Sequence, residues 1–370
     1  MKILYIATIG GFMPFFKSLI RDLIDEGNIV DFAVNESVSP IPDYYKEWGC
    51  KVYNISLSRS PFSFGNFKAI KQIRTIAKDY DIVHCHTPLA GMSTRFGCKK
   101  LRRKQGLKVI YTAHGFHFYK GAPKKNWLIY YPIEKMCSKW TDVLITINKE
   151  DFEFAQEKMK SKLIEFVPGV GIDVQRFRNT SVDREQKKKE LGVPVDAYII
   201  LSVGELNDNK NHEVIIRAIS KLNDSSIWYM IAGEGPKKEY LDNLSKELNV
   251  NLVLLGSRKD INELDKVADV FAFPSHREGQ GIAAIEAMAA GLPLICSDNR
   301  GTREYAFDGA IVCNSEDVDA FSMAISTMKN NGNSSEMGKF NAAYAQKFDY
   351  KQINERIKNI YKNMVCGDAK

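Results

Sequence analysis

Short apolar runs alternate with amphipathic helical stretches along nearly the whole chain, and this alternation restricts the fold more than any other feature. The second half shows it most plainly: YIILSVGEL (198–206), NHEVIIRAISKL (211–222), IWYMIAGEG (227–235), KKEYLDNLSKEL (237–248), then NLVLLG (251–256) and DVFAFPS (269–275). Strands separated by helices of this length need crossover connections, so the sheet is parallel. Strands that are apolar along their whole length belong to a sheet covered on both faces. The first half follows the same order, with KILYIAT (2–8), a helix FFKSLIRDLIDEG (15–27) closed by Gly27, and then IVDFAVN (29–35). DIVHCHT (81–87), KVIYTAH (108–114), DVLITIN (142–148) and LIEFVPG (163–169) complete it.

The expected fold is therefore α/β, with two doubly wound, Rossmann-like parallel-sheet domains over 1–170 and 171–349. They meet in VPGVGID (167–173), where Gly169 and Gly171 supply the backbone freedom of a hinge. The last helix, YKQINERIKNIYKNM (350–364), has one apolar stripe, Ile353, Ile357, Ile360 and Tyr361. That stripe suits either domain.

Length and composition agree with two ordinary cores: 370 residues, 44% hydrophobic and 11% aromatic. The seven cysteines are odd in number, lack paired spacing and read as reduced cytosolic thiols. The opening MKILYIATIGG reads as a first strand rather than a signal peptide, and no apolar run is long enough to cross a bilayer. The expected location is the cytoplasm, peripheral at the inner face of the membrane.

Charge is divided unevenly. Residues 1–168 carry 26 Lys and Arg against 16 Asp and Glu, whereas residues 169–370 carry 26 against 29. The basic residues of the first half bunch in CKKLRRKQG (98–106) and KGAPKKNW (120–127), the latter beside Tyr119 and with Trp127. Each bunch is either a solvated helix face or a site for an anionic membrane surface. Nucleic acid is not an expected partner, because no helix-turn-helix, zinc-finger spacing or stacking motif accompanies the charge.

Open parallel sheets bind ligands beyond the carboxyl ends of their strands. The unusual residues fall there: Gly10 and Gly11, His114 to His117, Gly204 to Lys210, Gly233 to Gly235, Gly256 to Arg258, and Pro274 to Gly281. In HREGQGIAAIEAMAAG (276–291) a glycine-bearing turn leads into a helix that ends at Gly291. Gly279 and Gly281 let a ligand approach the backbone, and the free amides of the helix start can hold phosphate oxygens. Glu286, just over one turn into the helix, suits the vicinal hydroxyls of a ribose, and Glu278 suits the hydroxyls of a second sugar. A nucleotide diphosphate-sugar offers ribose, anion and hexose in that sequence. The alternative is two surface glutamates around an ordinary helix start.

Lys210, in SVGELNDNKNHE (202–213), is either a cation for a departing diphosphate or a solvated loop lysine. Arg258 offers a cation at the same sheet edge, whereas AGEG (232–235) is too short for a dinucleotide fingerprint. His114 lies at a strand end, with His117 equally placed. His84 and His86 share one side of a strand without a further metal-ligand set, and Asp317 reads as a helix cap. No metal site is expected.

With these residues in hand, the chain resembles the retaining glycosyltransferases of the two-Rossmann GT-B architecture, family 4 or group 1. REGQGIAAIEAMAAGLP, with Glu278 and Glu286 separated by seven residues, carries the likeness with VPGVGID, SVGELNDNKNH and AGEGP. HCHTP, YTAHGFHFYKGAPKKNWLIYYPIEK and TDVLITINKED are similar to bacterial enzymes of capsular and extracellular polysaccharide synthesis. The resemblance implies two domains facing an interdomain cleft, with the final helix (350–370) crossing back onto the first. It implies that His114, Lys210 and Glu278 act at the reacting sugar and diphosphate, and that Glu286 binds the ribose. Gly10, Gly11, Gly204, Glu205, Arg258, Gly279, Gln280, Gly281 and Ile282 would surround the donor.

The implied donor is a nucleotide sugar, expected to be UDP-linked, with no tightly bound cofactor and no divalent metal. The implied acceptor is a polyprenyl diphosphate-linked saccharide or a glycan, and configuration is retained. A sugar-nucleotide epimerase, a phosphorylase and a non-catalytic nucleotide-sugar-binding subunit are the rival readings. One departure stands out: many relatives have Gly-Arg where this chain has Gly204–Glu205, which leaves Lys210 to act with the helix amides alone, or Arg258, Arg277 or Arg303 to compensate.

Overall fold

Strand β1 (Lys2–Ile9) lies at the centre of a seven-stranded sheet, flanked by β2 (Ile29–Asn35) and β4 (Ile82–His86). The order is β3-β2-β1-β4-β5-β6-β7, with β3 (Val52–Asn54), β5 (Lys108–Ala113), β6 (Val143–Thr146) and β7 (Leu163–Phe166), and every pairing is parallel. This is a computed structural model describing residues 1–58, 60, 63–330 and 334–366, so residues 367–370 of the expected terminal segment lie outside the described residues. The sheet belongs to a unit made of Met1–Gly171 and the terminal helix Tyr350–Cys366.

The second unit, Ile172–Asp349, repeats the plan with six parallel strands in the order β10-β9-β8-β11-β12-β13. These are β8 (Tyr198–Val203), β9 (Ile227–Ala232), β10 (Asn251–Gly256), β11 (Val270–Phe273), β12 (Leu294–Ser297) and β13 (Ala310–Cys313). The strand order reverses between β1 and β4 in one unit and between β8 and β11 in the other. A doubly wound sheet opens a crevice at such a point.

Helices cover both faces of each sheet because the strands are apolar on both. In the first unit Leu19, Ile20 and Leu23 of helix Lys17–Asp25 share one core layer with Ile353, Ile357, Ile360 and Tyr361 of the terminal helix. Each such side chain removed from water contributes about 1.5–3 kcal/mol. Lys358 Nζ on the same helix donates to Glu26 Oε1 at 2.7 Å, and Arg356 donates to the Phe166 carbonyl at 2.6 Å. The opposite face is covered by helices Gly65–Ile76 and Pro88–Gln105.

The strands that sequence analysis does not resolve are β3, β12 and β13. They are three or four residues long. The turn after β1 is a 3-10 helix, Gly10–Phe16, so the α-helix expected from Phe15 begins at Lys17. Cys50, Cys85, Cys98, Cys137, Cys296 and Cys313 are buried and form no disulfide.

Candidate functional site

In the second unit, adjacent strands β8 and β11 each release a loop at their carboxyl ends, and those loops carry the residues that the sequence singles out. Lys210 leaves the first loop and Glu278 the second. The ammonium donates to Glu278 Oε1 at 2.7 Å and stands 5.0 Å above the Phe273 ring. The pair is partly covered, with side-chain exposures of 21% and 13%. Lys210's stem lies along Gly204, where a Cβ would come within 3.1 Å of Cε.

The loop around Gly204 is held by backbone. Gly204 N–H donates to the Ala232 carbonyl at 3.0 Å and Leu206 N–H to Glu234 at 2.9 Å. AGEG therefore buttresses the Lys210 loop rather than forming a phosphate fingerprint. Glu205 is exposed at this edge.

The second loop ends at Gly281, which opens helix Ile282–Ala290 with φ +84°. A side chain there would be strained by the backbone, and its Cβ would lie 2.5 Å from Tyr305 Oη and 2.7 Å from Phe273 Cε1. The helix thus starts at a position that only glycine fills without rearrangement; its first amides have no intrahelical acceptor, and Gly281 and the Lys210 ammonium both approach the Phe273 ring. Gly279 is half-buried and Gln280 buried on the approach.

Glu286 is half-buried on the following turn. Burial pushes its carboxyl up to about 7, although Arg176 nearby pulls the other way. Asp265, fully buried on helix Ile261–Val267, is pushed well above the carboxylate range by burial and then by Glu286. Neither Asp265 oxygen has a hydrogen-bond partner among the described residues. No motif in the sequence marks Asp265 or Tyr305, whose Oη is likewise buried without a partner among the described residues. Their only sequence signal is one acid and one phenol in otherwise ordinary amphipathic stretches.

The arginines considered as compensation are differently placed. Arg258 makes a forked pair with Asp260, at 2.8 and 2.5 Å, and Arg303 pairs with Asp298 at 2.7 Å. Arg277 is exposed. Asp317 accepts from the Ala320 N–H at 2.9 Å and caps helix Val318–Asn330.

In the first unit, His114 follows β5 and is half-buried, and its Nε2 lies 3.1 Å from Nδ1 of His86 at the end of β4. Burial pushes His114 down to about 4. His84 is fully engaged, through Nδ1 with Tyr361 Oη at 2.5 Å and through Nε2 with Thr112 at 2.7 Å, so neither nitrogen is left for a metal. The Gly10 N–H donates to the Ser39 carbonyl at 2.9 Å and the Gly11 N–H to Ser39 Oγ at 3.2 Å.

Beside Gly11, a pocket of about 410 Å³ is lined by Ile9, Phe12, Thr87, Leu89, His117 and Tyr130. Tyr130 belongs to helix Lys124–Ser138, which exposes Leu128 (77%), Ile129 (50%) and Met136 among Lys124, Lys125 and Lys139. Residues 98–140 hold eleven Lys and Arg and one acid, Glu134. That acid is buried against Arg95 at 2.8 Å. Lys99 Nζ stands over Phe96 and Trp140, at 4.1 and 4.9 Å.

Comparison with known proteins adds to this geometry. Residues 183–346 match the family described as "Glycosyl transferases group 1", and residues 2–148 match "Glycosyl transferase 4-like". EpsD of Bacillus subtilis (strain 168), a candidate glycosyltransferase, is 40% identical over 265 residues, covering 70% of this chain and 69% of EpsD. The UDP-Gal:alpha-D-GlcNAc-diphosphoundecaprenol alpha-1,3-galactosyltransferase of Escherichia coli is 28% identical over 334 residues, 85% of each chain. Among solved structures, Anabaena Alr3699/HepE in complex with UDP superposes with a TM-score of 0.80 at 16% identity, over 98% of this chain and 100% of that one. The fold is thus that of the GT-B glycosyltransferases.

Proposed function

We propose that this chain, which belongs to the glycosyl transferases group 1 family, moves a hexose or N-acetylhexosamine from a UDP-sugar to a lipid-linked or glycan acceptor in cell-surface polysaccharide synthesis, with retention. The observation that carries this reading is the convergence of Lys210, Glu278 and the Gly281 helix start at one sheet crevice.

In the proposed reaction the amides at Ile282 and beyond, with the Lys210 ammonium, take the charge that develops on the departing diphosphate. Lys210 moves from Glu278 to the diphosphate as donor binds. Glu278, released from its ion pair, accepts hydrogen bonds from the sugar, and Glu286 accepts them from the ribose. His114 is assigned to donor contact, as the family resemblance implies. Glu278 is committed to positioning rather than attack, so the acceptor hydroxyl enters on the face from which the diphosphate leaves: its oxygen bonds to the anomeric carbon as the bond to the diphosphate breaks, and its proton passes to the departing phosphate oxygen. No divalent metal is required in this scheme, since an ammonium and oriented amides supply the charge.

UDP as the nucleotide is supported by the E. coli relative's UDP-Gal donor and by the UDP in the Anabaena structure. A lipid-linked acceptor is supported by the GlcNAc-diphosphoundecaprenol in that relative's name. The pocket beside Gly11 is assigned to the acceptor saccharide. The surface around Lys99, Lys100 and Arg103 and the exposed start of helix Lys124–Ser138, with Lys124, Lys125, Leu128 and Ile129, are both assigned to an anionic membrane surface, where lysines sit among headgroups and apolar side chains enter the interface. Among the described residues no helix is long and apolar enough to cross a membrane.

The test is incubation with UDP-glucose, UDP-galactose and UDP-N-acetylglucosamine, with and without polyprenyl diphosphate-linked N-acetylglucosamine. Extension of the acceptor through an α linkage is expected. An altered sugar in the absence of acceptor would identify an epimerase, phosphate-dependent turnover a phosphorylase, and UDP binding without chemistry a non-catalytic subunit.

A further inference from the structure

His84, His86 and His114 form a chain of imidazoles along the carboxyl edge of the first sheet, and their partners differ. His84 has a hydroxyl on each nitrogen, from Tyr361 and Thr112, and reads as a satisfied core residue. His86 has none. One of its nitrogens, Nδ1, faces His114 Nε2 at 3.1 Å, and the other, Nε2, is buried without a partner among the described residues.

This contact follows from strand register. His86 pairs with Thr112 across β4 and β5, and His114 lies two residues further on, where the strand's two-residue period returns to the same side. The His86 ring is fixed: it is fully buried, stacked on Tyr5 at 5.6 Å and packed against Phe16 at 4.3 Å. His114 is held edge-on by Phe12 at 4.9 Å. A cavity of about 20 Å³ bounded by His84, His86, Thr112 and His114 lies behind them, with room for one water.

Two neutral imidazoles joined edge to edge share a single proton, so one must donate and the other accept. Of the two proton placements, the one with the proton on His86 Nδ1 leaves no buried N–H without an acceptor, so His86 donates to His114 Nε2 and the His114 proton sits on Nδ1. With Nε2 of His114 committed, Nδ1 is the nitrogen available to a ligand.

We propose that His86 is a positioning residue that holds His114 in one orientation and one tautomer, so that Nδ1 meets the donor. This rests on the reading of His114 as a donor contact. It assigns His86 a role that packing alone does not require, since phenylalanine would fill the same aromatic site and leave no buried nitrogen unpaired.

The variants His86→Phe, His86→Asn and His114→Ala separate the possibilities. Phenylalanine keeps the ring and deletes the nitrogen, whereas asparagine places an amide atom the same number of bonds from Cα as Nδ1. His86→Phe is expected to lower kcat at least tenfold, with UDP affinity and melting temperature within error of the wild type. His86→Asn is expected to recover at least half of the lost rate. Nitrogen-15 spectra of the ring are expected to show one His114 tautomer in the wild type and a mixture in His86→Phe. If His114→Ala loses turnover while His86→Phe does not, the positioning role is wrong and the donor contact stands. If His114→Ala retains full turnover, the donor contact is wrong and the positioning role falls with it. Equal losses in the Phe and Asn variants, accompanied by a lowered melting temperature, would reduce His86 to packing.

Discussion

Lys210 and Glu278, 68 residues apart in sequence, form an ion pair of 2.7 Å between the loops that leave two adjacent strands. The pairing implies an exchange of partners. Glu278→Gln would free the ammonium for diphosphate while removing an acceptor for the sugar. UDP affinity is expected to hold or rise a few-fold, and turnover to fall by about 10²-fold, because the lost interaction acts on the reacting sugar. Calorimetry and steady-state kinetics check both. Loss of UDP binding in this variant would mean that Glu278 organises the nucleotide site.

Glu286 gives a pH signature. Its folded value, pushed up to about 7 by burial, lies above the ordinary carboxylate range, so the native state holds an extra proton through mildly acidic pH. Stability therefore falls as pH rises towards 7, and affinity for ribose hydroxyls rises over the same window as the carboxylate forms. Glu286→Gln is expected to narrow the difference between melting temperatures at pH 5 and pH 8 and to flatten the pH dependence of UDP binding. A wild-type profile without either trend contradicts this placement.

Gly281→Ala tests the helix start. The backbone at φ +84° and the close approach of Tyr305 and Phe273 predict a loss of about 1–3 kcal/mol in stability. UDP affinity is expected to fall further than stability does, since the amides would be displaced. Denaturant titration and calorimetry provide the two numbers.

The basic face is tested by Lys99, Lys100, Arg103 and Lys104 changed together to glutamine. Arg102 is best left in place, because its loss would strip Asp142, almost wholly buried, of a 2.8 Å partner. With roughly 1 kcal/mol for each charge near an anionic surface, binding to phosphatidylserine vesicles should drop by about 10²-fold or more. Leu128→Ser with Ile129→Ser should weaken vesicle binding and leave UDP affinity unchanged. Cosedimentation equal to the wild type for both variants would exclude this face.

Much of the fold was legible because long β-branched runs such as YIILSV and helices such as HEVIIRAISKL carry their own periodicity. The short strands β3, β12 and β13 were not assigned: VYN, LICS and AIVC are too short to show a period that tells a strand from a helix end or a loop. At the candidate site the sequence pointed to Lys210, Glu278 and Glu286 one turn at a time. The meeting of Lys210 with Glu278 depends on strand order, which no local pattern encodes. The His86–His114 contact is of the same kind, as is the burial of Asp265, which reads as a solvated acid within INELDKV. The basic stretch 98–106 was visible as charge, but Arg102's engagement with Asp142 was not.

The central claim, that a diphosphate is held by the Gly281 helix start together with Lys210, is tested most directly by titrating UDP into the wild type and into Lys210→Ala. The account predicts micromolar binding that weakens at least tenfold in the variant, a turnover loss of about 10²–10³-fold, and an unchanged melting temperature without ligand. Equal UDP affinity and near-normal transfer in Lys210→Ala would contradict it.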